Sequence, residues 1–287
     1  MKLSIITINY NNAAGLKKTL DSVASQTCTD FEHIIVDGAS TDESVEIIRK
    51  YENTLASCRS PLAYRLKWLS EPDIGIYNAM NKGVRLANGE YSLMLNSGDY
   101  LVDENVVEQV LPVLDGTDII QGNTIEDIRG KRYRYRGYGK SDIDFFDVMK
   151  GYFVHQASFC RLDLFERFGM FDESYRIIGD TKFFMICLGK ENASFRYVDL
   201  DIANYDVNGI SAEIHGKWAE LREIEKRRMR NELYSNRLNS FFDENDKKIR
   251  LYNQLHQHKW IWYMVMMFIH IINKCCSSHS LTKTERI

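Results

Sequence analysis

Leu3-Ser4-Ile5-Ile6-Thr7-Ile8-Asn9-Tyr10-Asn11-Asn12 is the stretch on which the fold turns. Leu3–Ile8 is an almost unbroken apolar, β-branched run. A strand apolar at successive positions is buried on both faces, the habit of parallel sheets covered by helices. Tyr10-Asn11-Asn12 breaks the run, and Leu16, Leu20, Val23 and Ala24 then recur at helical spacing over Leu16–Gln26. The pattern repeats downstream. Glu32–Val36 reads as a second strand, ended by Asp37-Gly38-Ala39-Ser40, and Thr41-Asp42-Glu43-Ser44 opens a helix continued by Val45–Tyr51. Leu66–Ser70 is a third strand, Ile76–Leu86 a helix stopped by Asn88-Gly89, and Tyr91–Leu95 a fourth strand ending at Asn96-Ser97-Gly98-Asp99. Alternating strands and helices predict an α/β fold with right-handed crossovers and helices on both faces of a mostly parallel, Rossmann-like sheet. Polar clusters follow the strands at Tyr10 and Asn11, Asp37, Asp73 and Asp99. Ligands bind outside the carboxyl ends of such strands, so four clusters there predict one shared site.

The middle third is less regular. Asp118–Gly122, Tyr152–Arg161 and Ser194–Leu200 read as strands, Leu162–Phe168 and Thr181–Lys190 as helices, and the Tyr/Gly-rich Glu126–Lys140 as a hairpin or loop. Lys217–Tyr234 reads as an exposed amphipathic helix with Trp218, Leu221, Ile224 and Met229 on its apolar stripe.

The 287 residues are 44% apolar and 27% charged, the composition of a folded globular chain able to bury a sizeable core. Formal net charge is −3, which argues against a nucleic-acid partner. The charge is uneven: from His215 onward 14 Lys+Arg face 8 Asp+Glu, leaving −9 on the first 214 residues. An acidic body suits carboxylate chemistry, and a basic tail suits an anionic surface. Six cysteines form no CxxC pair and no zinc spacing, which points to free thiols in a reducing compartment. The N-terminal apolar run breaks at Asn9 without a cleavage site, so a buried strand rather than a signal peptide is expected, and a cytoplasmic location with it.

Three carboxylates stand where chemistry is expected. Asp99, beside Gly98 on the turn after a buried strand, offers hard oxygen for Mg²⁺ or Mn²⁺ with substrate phosphates, or else closes an ordinary turn. Asp37, after Ile34-Ile35-Val36, can accept from a nucleobase N–H or ribose hydroxyl, or form an Asx turn. Asp180, before a helix, is an N-cap or a general base. No GxGxxG follows the first strand, which excludes a dinucleotide-binding dehydrogenase.

Taken in order, Ser4-Ile5-Ile6-Thr7 with Tyr10-Asn11, then Val36-Asp37-Gly38-Ala39-Ser40-Thr41-Asp42, Leu95-Asn96-Ser97-Gly98-Asp99, and Gly169-Met170-Phe171-Asp172-Glu173 with Gly179-Asp180 resemble the family 2 glycosyltransferases of GT-A fold. Glu71-Pro72-Asp73-Ile74-Gly75-Ile76-Tyr77-Asn78-Ala79-Met80-Asn81-Lys82-Gly83 and His155-Gln156-Ala157 resemble the branch with colanic-acid-type exopolysaccharide transferases. The resemblance covers residues 1–212. It implies an inverting transferase that moves a sugar from a nucleotide-diphosphate sugar donor to a glycan or lipid-linked glycan acceptor, in bacterial surface polysaccharide synthesis. By the same resemblance Tyr10 stacks on the base and Asp37 binds it, Thr7, Asn9, Asp73 and Asn96 line the nucleotide-sugar pocket, Asp99 binds Mg²⁺ or Mn²⁺, Asp180 is the catalytic base, and His155 and Gln156 face the acceptor. Asn96 and Gly98 stand where relatives carry aspartates, and Gly179 where they often carry Glu. A nucleotide-sugar-binding scaffold without activity is the alternative that this weakened motif supports.

The expected organisation is a catalytic domain at 1–212, its nucleotide half at about 1–100 and acceptor half at 101–212, followed by a helical extension at 213–287. Asn208-Gly209-Ile210-Ser211 resembles a loop that closes on donor phosphates, or else is a plain turn. Trp260–Ile272 has 12 apolar residues in 13 between Lys259 and Lys274. As a helix it measures about 20 Å, short of the roughly 30 Å of a bilayer core. Residues 257–276 are therefore expected either to contact the inner-membrane surface, making the protein peripheral on the cytoplasmic face, or to pack on protein.

Overall fold

Strand β1 (Leu3–Asn9) is buried at every residue, as its apolar run requires. The computed structural model in which it lies describes residues 1–57, 65–128, 130–207, 209, 215–241, 244, 264 and 267. Helix α1 (Ala13–Ala24) follows, its first turn closed by Asn12, whose Oδ1 accepts the Gly15 N–H at 3.1 Å. Then come β2 (Phe31–Asp37), α2 (Ser44–Ser57), β3 (Leu66–Ser70), α3 (Ile76–Leu86) and β4 (Tyr91–Met94). β1 pairs in parallel with β2 and β4, and β2 with β3. Ile5 and Ile35 point into a core shared with Leu16, Leu20 and Ile48 of α1 and α2. On the opposite face α3 approaches so closely that a Cβ on Gly83 would stand 2.3 Å from Ile6 Cγ2. Truncating a wholly buried side chain such as Ile5 to Ala is expected to cost about 2–5 kcal/mol.

The second half adds β5 (Tyr100–Leu101), α4 (Val106–Val110), β6 (Ile119–Ile128), β7 (Lys131–Tyr135), α5 (Phe145–Lys150), β8 (Ser158–Arg161), α6 (Asp163–Phe168), α7 (Gly179–Phe184), β9 (Phe195–Tyr205) and α8 (Lys217–Leu233). One nine-stranded sheet runs β3-β2-β1-β4-β8-β6-β9-β5, with β7 paired to β6. β8 joins β4 antiparallel, so a parallel nucleotide-type half continues into a mixed half across one sheet. Contacts group residues Met1–Met229 in one unit and Arg230–Ile287 in another.

Four local readings change. Tyr152–Arg161 is a strand only from Ser158; His155–Ala157 form a 3₁₀ turn, closed by the Ala157 N–H on Val154 O at 3.1 Å. Thr181–Lys190 is α-helical only to Phe184 and widens to a π-helix over Met185–Lys190. The strand read at Asp118–Gly122 extends to Ile128, because its far half pairs with β7 in the hairpin expected within Glu126–Lys140. On α8 the inward stripe contains Glu225 and Met229, while Ile224 is 61% exposed. A carboxylate in the buried stripe misaligns any apolar periodicity. Residues 257–276, apart from Met264 and Met267, and the loop 208–211, apart from Gly209, lie outside the described residues. Among the described residues no helix is long and apolar enough to cross a membrane.

Candidate active site

β1, β2 and β3 end in register at Asn9, Asp37 and Ser70. Asp37 is wholly buried among them. Its Oδ1 accepts from Asn9 Nδ2 at 2.8 Å and Ser40 Oγ at 2.6 Å, and its Oδ2 from the Ser40 N–H at 2.9 Å and Ser70 Oγ at 2.6 Å. Burial pushes the carboxyl pKa up, but these donors outweigh it and hold the pKa below the ordinary value. Four chain donors use the Asp37 oxygens, and it braces the loops after β1 and β2. Thr7 is likewise bonded inside the fold. Its Oγ1 lies 3.0 Å from His33 Nε2, and His33 Nδ1 lies 3.1 Å from the Tyr51 hydroxyl, all inside the core. Desolvation lowers the His33 pKa to about 3 and keeps that ring neutral.

Tyr10, 68% exposed, faces outward, and Asp73 stands near it with its side chain 12% exposed. Gly38 lies between them. A Cβ there would stand 2.8 Å from Asp73 Oδ2 and 3.1 Å from Tyr10 Cδ2, so only glycine lets ring and carboxylate converge. Lys82 Nζ holds Asp73 Oδ1 at 2.7 Å and Glu71 at 2.9 Å. The two loops are stitched together by Asn11 N–H to Ser40 Oγ and Thr41 N–H to Asn11 Oδ1, each 2.8 Å. Asn11 and Ala39 sit at φ +49° and +58°, left-handed conformations that non-glycine residues hold only where surrounding contacts enforce them.

At the end of β4 the chain turns through Asn96-Ser97-Gly98-Asp99. Asp99 is 4% exposed. Its Oδ1 accepts the Asp206 N–H at 2.9 Å, and the Gln156 side chain also bonds its carboxylate. Burial nonetheless pushes its pKa up to about 6. Gly98, at φ +107°, is required: a Cβ there would stand 2.9 Å from Asp206 Oδ2, so the carboxylate of Asp206 lies against the turn that carries Asp99.

Asp180 stands at the start of α7. Its Oδ2 lies 2.7 Å from His155 Nδ1, and its Oδ1 accepts from the Tyr77 hydroxyl at 3.0 Å and the Thr181 N–H at 2.8 Å. His155 Nε2 in turn lies 3.2 Å from Asn96 Nδ2. A continuous chain Tyr77–Asp180–His155–Asn96 thus links α3 to the turn of Asp99. In the neutral tautomer this pairing requires, Nδ1–H donates to Asp180 and Nε2 accepts from Asn96. A protonated ring is met by turning the Asn96 amide, whose Oδ1 has no partner among the described residues. Burial acts to lower the His155 pKa, but the hydrogen bond and charge of Asp180 raise it above the ordinary value. Burial acts to raise the Asp180 pKa, and His155, Thr181 and Tyr77 bring it below ordinary, so this carboxylate is ionised at neutral pH. Tyr77, buried beside that charge, has its pKa pushed far up and stays a donor.

His155 and Gln156, expected to face the acceptor, are adjacent on one turn and hold one carboxylate each, Asp180 and Asp99. The sequence reading quoted Tyr77, Asn78 and Asn81 without a role. On α3 they share the side that meets the Asp180 segment: Asn78 and Asn81 hold Glu173 at 3.0 and 2.8 Å, and Asn81 brackets Phe171 N–H and C=O at 3.0 and 2.9 Å. Their i, i+1, i+4 spacing was the available signal. Among the described residues no three His, Cys, Asp or Glu side chains gather as a metal cage. Mg²⁺ and Mn²⁺ commonly take one or two protein carboxylates and complete their shell with water and phosphate oxygens. A buried Asp99, its pKa raised, beside Asp206 fits such an ion.

The sequence model of Glycosyl transferase family 2 matches residues 4–171. A PGL/p-HBAD biosynthesis glycosyltransferase of Mycobacterium bovis (strain BCG / Pasteur 1173P2) is 34% identical over 218 residues, 75% of this chain and 80% of that protein. Among solved structures, S. aureus TarS 1-349 in complex with UDP-GlcNAc superposes with TM-score 0.59 at 21% identity, over 77% of this chain and 61% of that one. The mannosyltransferase PcManGT from Pyrobaculum calidifontis, in complex with GDP-Man and Mn²⁺, superposes with TM-score 0.54 at 20% identity, over 72% and 57%. The chain thus spans less than two thirds of the length of these two structural neighbours, and the likeness to them is one of fold, the GT-A fold.

Proposed function

Because the chain belongs to glycosyl transferase family 2, we propose that it transfers one sugar from a nucleoside-diphosphate sugar to an acceptor hydroxyl, with inversion at the anomeric carbon. The observation that carries this reading is Asp180, ionised and oriented by Tyr77 and His155, wired through Asn96 to the turn of Asp99. The donor's base lies on Tyr10 beside Asp73, over the edge that Asn9 and Asp37 brace. Donor complexes of the structural neighbours, UDP-GlcNAc in one and GDP-Man with Mn²⁺ in the other, support a nucleotide sugar as donor. Asp99, with Asp206 beside it, would hold Mg²⁺ or Mn²⁺ against the diphosphate. When bound, such an ion supplies positive charge to the leaving phosphates.

The chain's own groups do the rest. Asp180 accepts the proton of the acceptor hydroxyl as that oxygen attacks the anomeric carbon, and the C–O bond to the diphosphate breaks on the opposite face. His155 and Tyr77 fix which lone pair of Asp180 points at the acceptor. Gln156 and the Asp206 N–H keep Asp99 in place. The acceptor we propose is a glycan or lipid-linked glycan, and the role one in bacterial surface polysaccharide synthesis. We propose that a catalytic domain at 1–212 is followed by an extension at 213–287 whose first helix, α8, still serves that domain. The extension's basic and apolar stretch at 257–276 contacts the cytoplasmic face of the inner membrane.

The test is a donor panel. Purified protein is mixed with UDP-, GDP- and dTDP-sugars and Mn²⁺ or Mg²⁺, and thermal shift and nucleotide release are recorded. One donor is expected to stabilise the protein in a metal-dependent way and to be slowly hydrolysed. Asp180→Asn is expected to bind that donor normally and to lose about 10²–10⁴-fold in rate, the usual contribution of a general base. A full rate in that variant would remove Asp180 from the chemistry.

A further inference from the structure

The segment that delivers Asp180 is held from two sides. On one side stands α3, through Tyr77, Asn78 and Asn81. On the other stands α8, which follows the last strand. Glu225 of α8 is 4% exposed. Its Oε1 accepts the Arg176 N–H at 2.6 Å, and its Oε2 accepts the Ile177 N–H at 3.0 Å and the Ile178 N–H at 3.2 Å. Three successive amides converge on one carboxylate, and the second residue after them is Asp180. Buried carboxylates are costly unless hydrogen-bonded, so Glu225 and this backbone turn depend on each other. Around the clamp, Arg228 reaches Ser174 Oγ at 2.9 Å and lies 4.5 Å over the Tyr175 ring, and Met229 is buried.

We propose that Glu225 is a positioning residue for Asp180, so that α8 is part of the catalytic machinery rather than an appendage to it. This rests on the reading of Asp180 as the base. The Ile178 carbonyl already opens α7 by accepting the Lys182 N–H at 2.9 Å, while the Arg176, Ile177 and Ile178 amides are directed by Glu225. Without that carboxylate the three N–H groups turn towards water or other acceptors, the start of α7 moves, and the Asp180 bonds to His155 and Tyr77 lengthen. The clamped segment also reaches the loop of Asp73, since Arg176 Nη1 donates to Ile74 O at 2.7 Å, but Asp180 is its closer dependant, two residues from the last clamped amide. Loss of the clamp therefore strikes turnover harder than donor binding.

The experiment compares wild-type full-length protein with Glu225→Gln and Glu225→Ala. Rates are nucleotide release from the responding donor of the panel, and binding is measured with UDP and GDP in the presence of Mn²⁺. Glu225→Gln keeps one acceptor and turns an NH₂ group on the amides; its kcat is expected to fall at least tenfold, and that of Glu225→Ala further, with KM and nucleotide affinity changed by a clearly smaller factor than kcat. A purely structural role would lower thermal stability and leave kcat per folded molecule unchanged, and that result overturns the proposal. Hydrogen exchange decides the matter even if the alanine variant does not fold. The amides of 176–178 are expected to be protected in wild type and to exchange at least tenfold faster in Glu225→Gln; equal rates also overturn it. If Asp180→Asn keeps full activity while Glu225→Gln loses it, the base assignment fails and the clamp stands on some other group of that segment.

Discussion

Replacing Asp99 by Asn should stabilise the metal-free protein at neutral pH and reverse that effect in acid. In the fold the Asp99 carboxyl is raised from the ordinary 3.8 to about 6 by burial. A gap of about 2 pH units at about 1.4 kcal/mol each makes about 3 kcal/mol, as an order of magnitude. The sign follows from proton counting. Between about pH 4 and pH 6 the folded state holds a proton that the unfolded state has lost, so wild-type stability falls as pH rises through this window. Below pH 4 both states are protonated and the penalty is absent; above pH 6 it is complete. Asn carries no charge and has no such slope. It does place an NH₂ group near the Gln156 side chain or the Asp206 N–H, at a cost of about 1–2 kcal/mol at every pH. Net gain at pH 8 is then about 1–2 kcal/mol, and at pH 4 the variant is the less stable protein by a similar amount. Urea unfolding in EDTA at both pH values measures the two differences. Adding Mn²⁺ at pH 8 should raise wild-type stability and leave Asp99→Asn unmoved, since only the carboxylate form gains by binding. A stability difference that is the same at pH 4 and pH 8 would refute the claim that Asp99 is a buried, strained charge awaiting a cation.

Other expectations test the remaining parts of the site. Tyr77→Phe deletes the hydroxyl on Asp180 Oδ1 and little else, and should lower kcat about tenfold at unchanged KM, in steady-state nucleotide release. Gly38→Ala puts a Cβ 2.8 Å from Asp73 Oδ2 and should weaken nucleotide binding, read by titration with UDP or GDP, at least tenfold while the far-UV spectrum stays that of wild type. Asn81→Ala removes both bonds to the Phe171 backbone and one to Glu173, leaving a buried N–H and C=O unpaired; a loss of about 2–4 kcal/mol in urea unfolding is expected.

The parallel half of the sheet was legible because its signals are local. An apolar run such as Leu3–Ile8 declares a two-face-buried strand, and Ile76–Leu86 was bounded correctly by the helical spacing of its apolar side and the Asn88-Gly89 stop. The 3₁₀ turn at His155 was not: its two leading side chains are held by Asp180 and Asp99, contacts that no periodicity of 152–161 encodes. Order along the chain also marked Asp99 and Asp180 as candidates. It could not say that Asp37 and Thr7 turn inward, because which side of a strand end is open depends on the loops folded over it.

Element type, the alternation of strands and helices in the first hundred residues and the edge at which polar groups collect were therefore written in the chain itself, as burial pattern and turn chemistry act over a few residues. The meeting of Tyr77, Asn96, His155, Asp180 and Glu225 was decided only by tertiary structure. These residues lie on four separate stretches of chain and on a helix beyond the last strand, and no spacing rule reaches across them. Crossovers and sheet register bring their side chains within hydrogen-bond distance, and it is at that distance that buried charge compels each of them to find a partner.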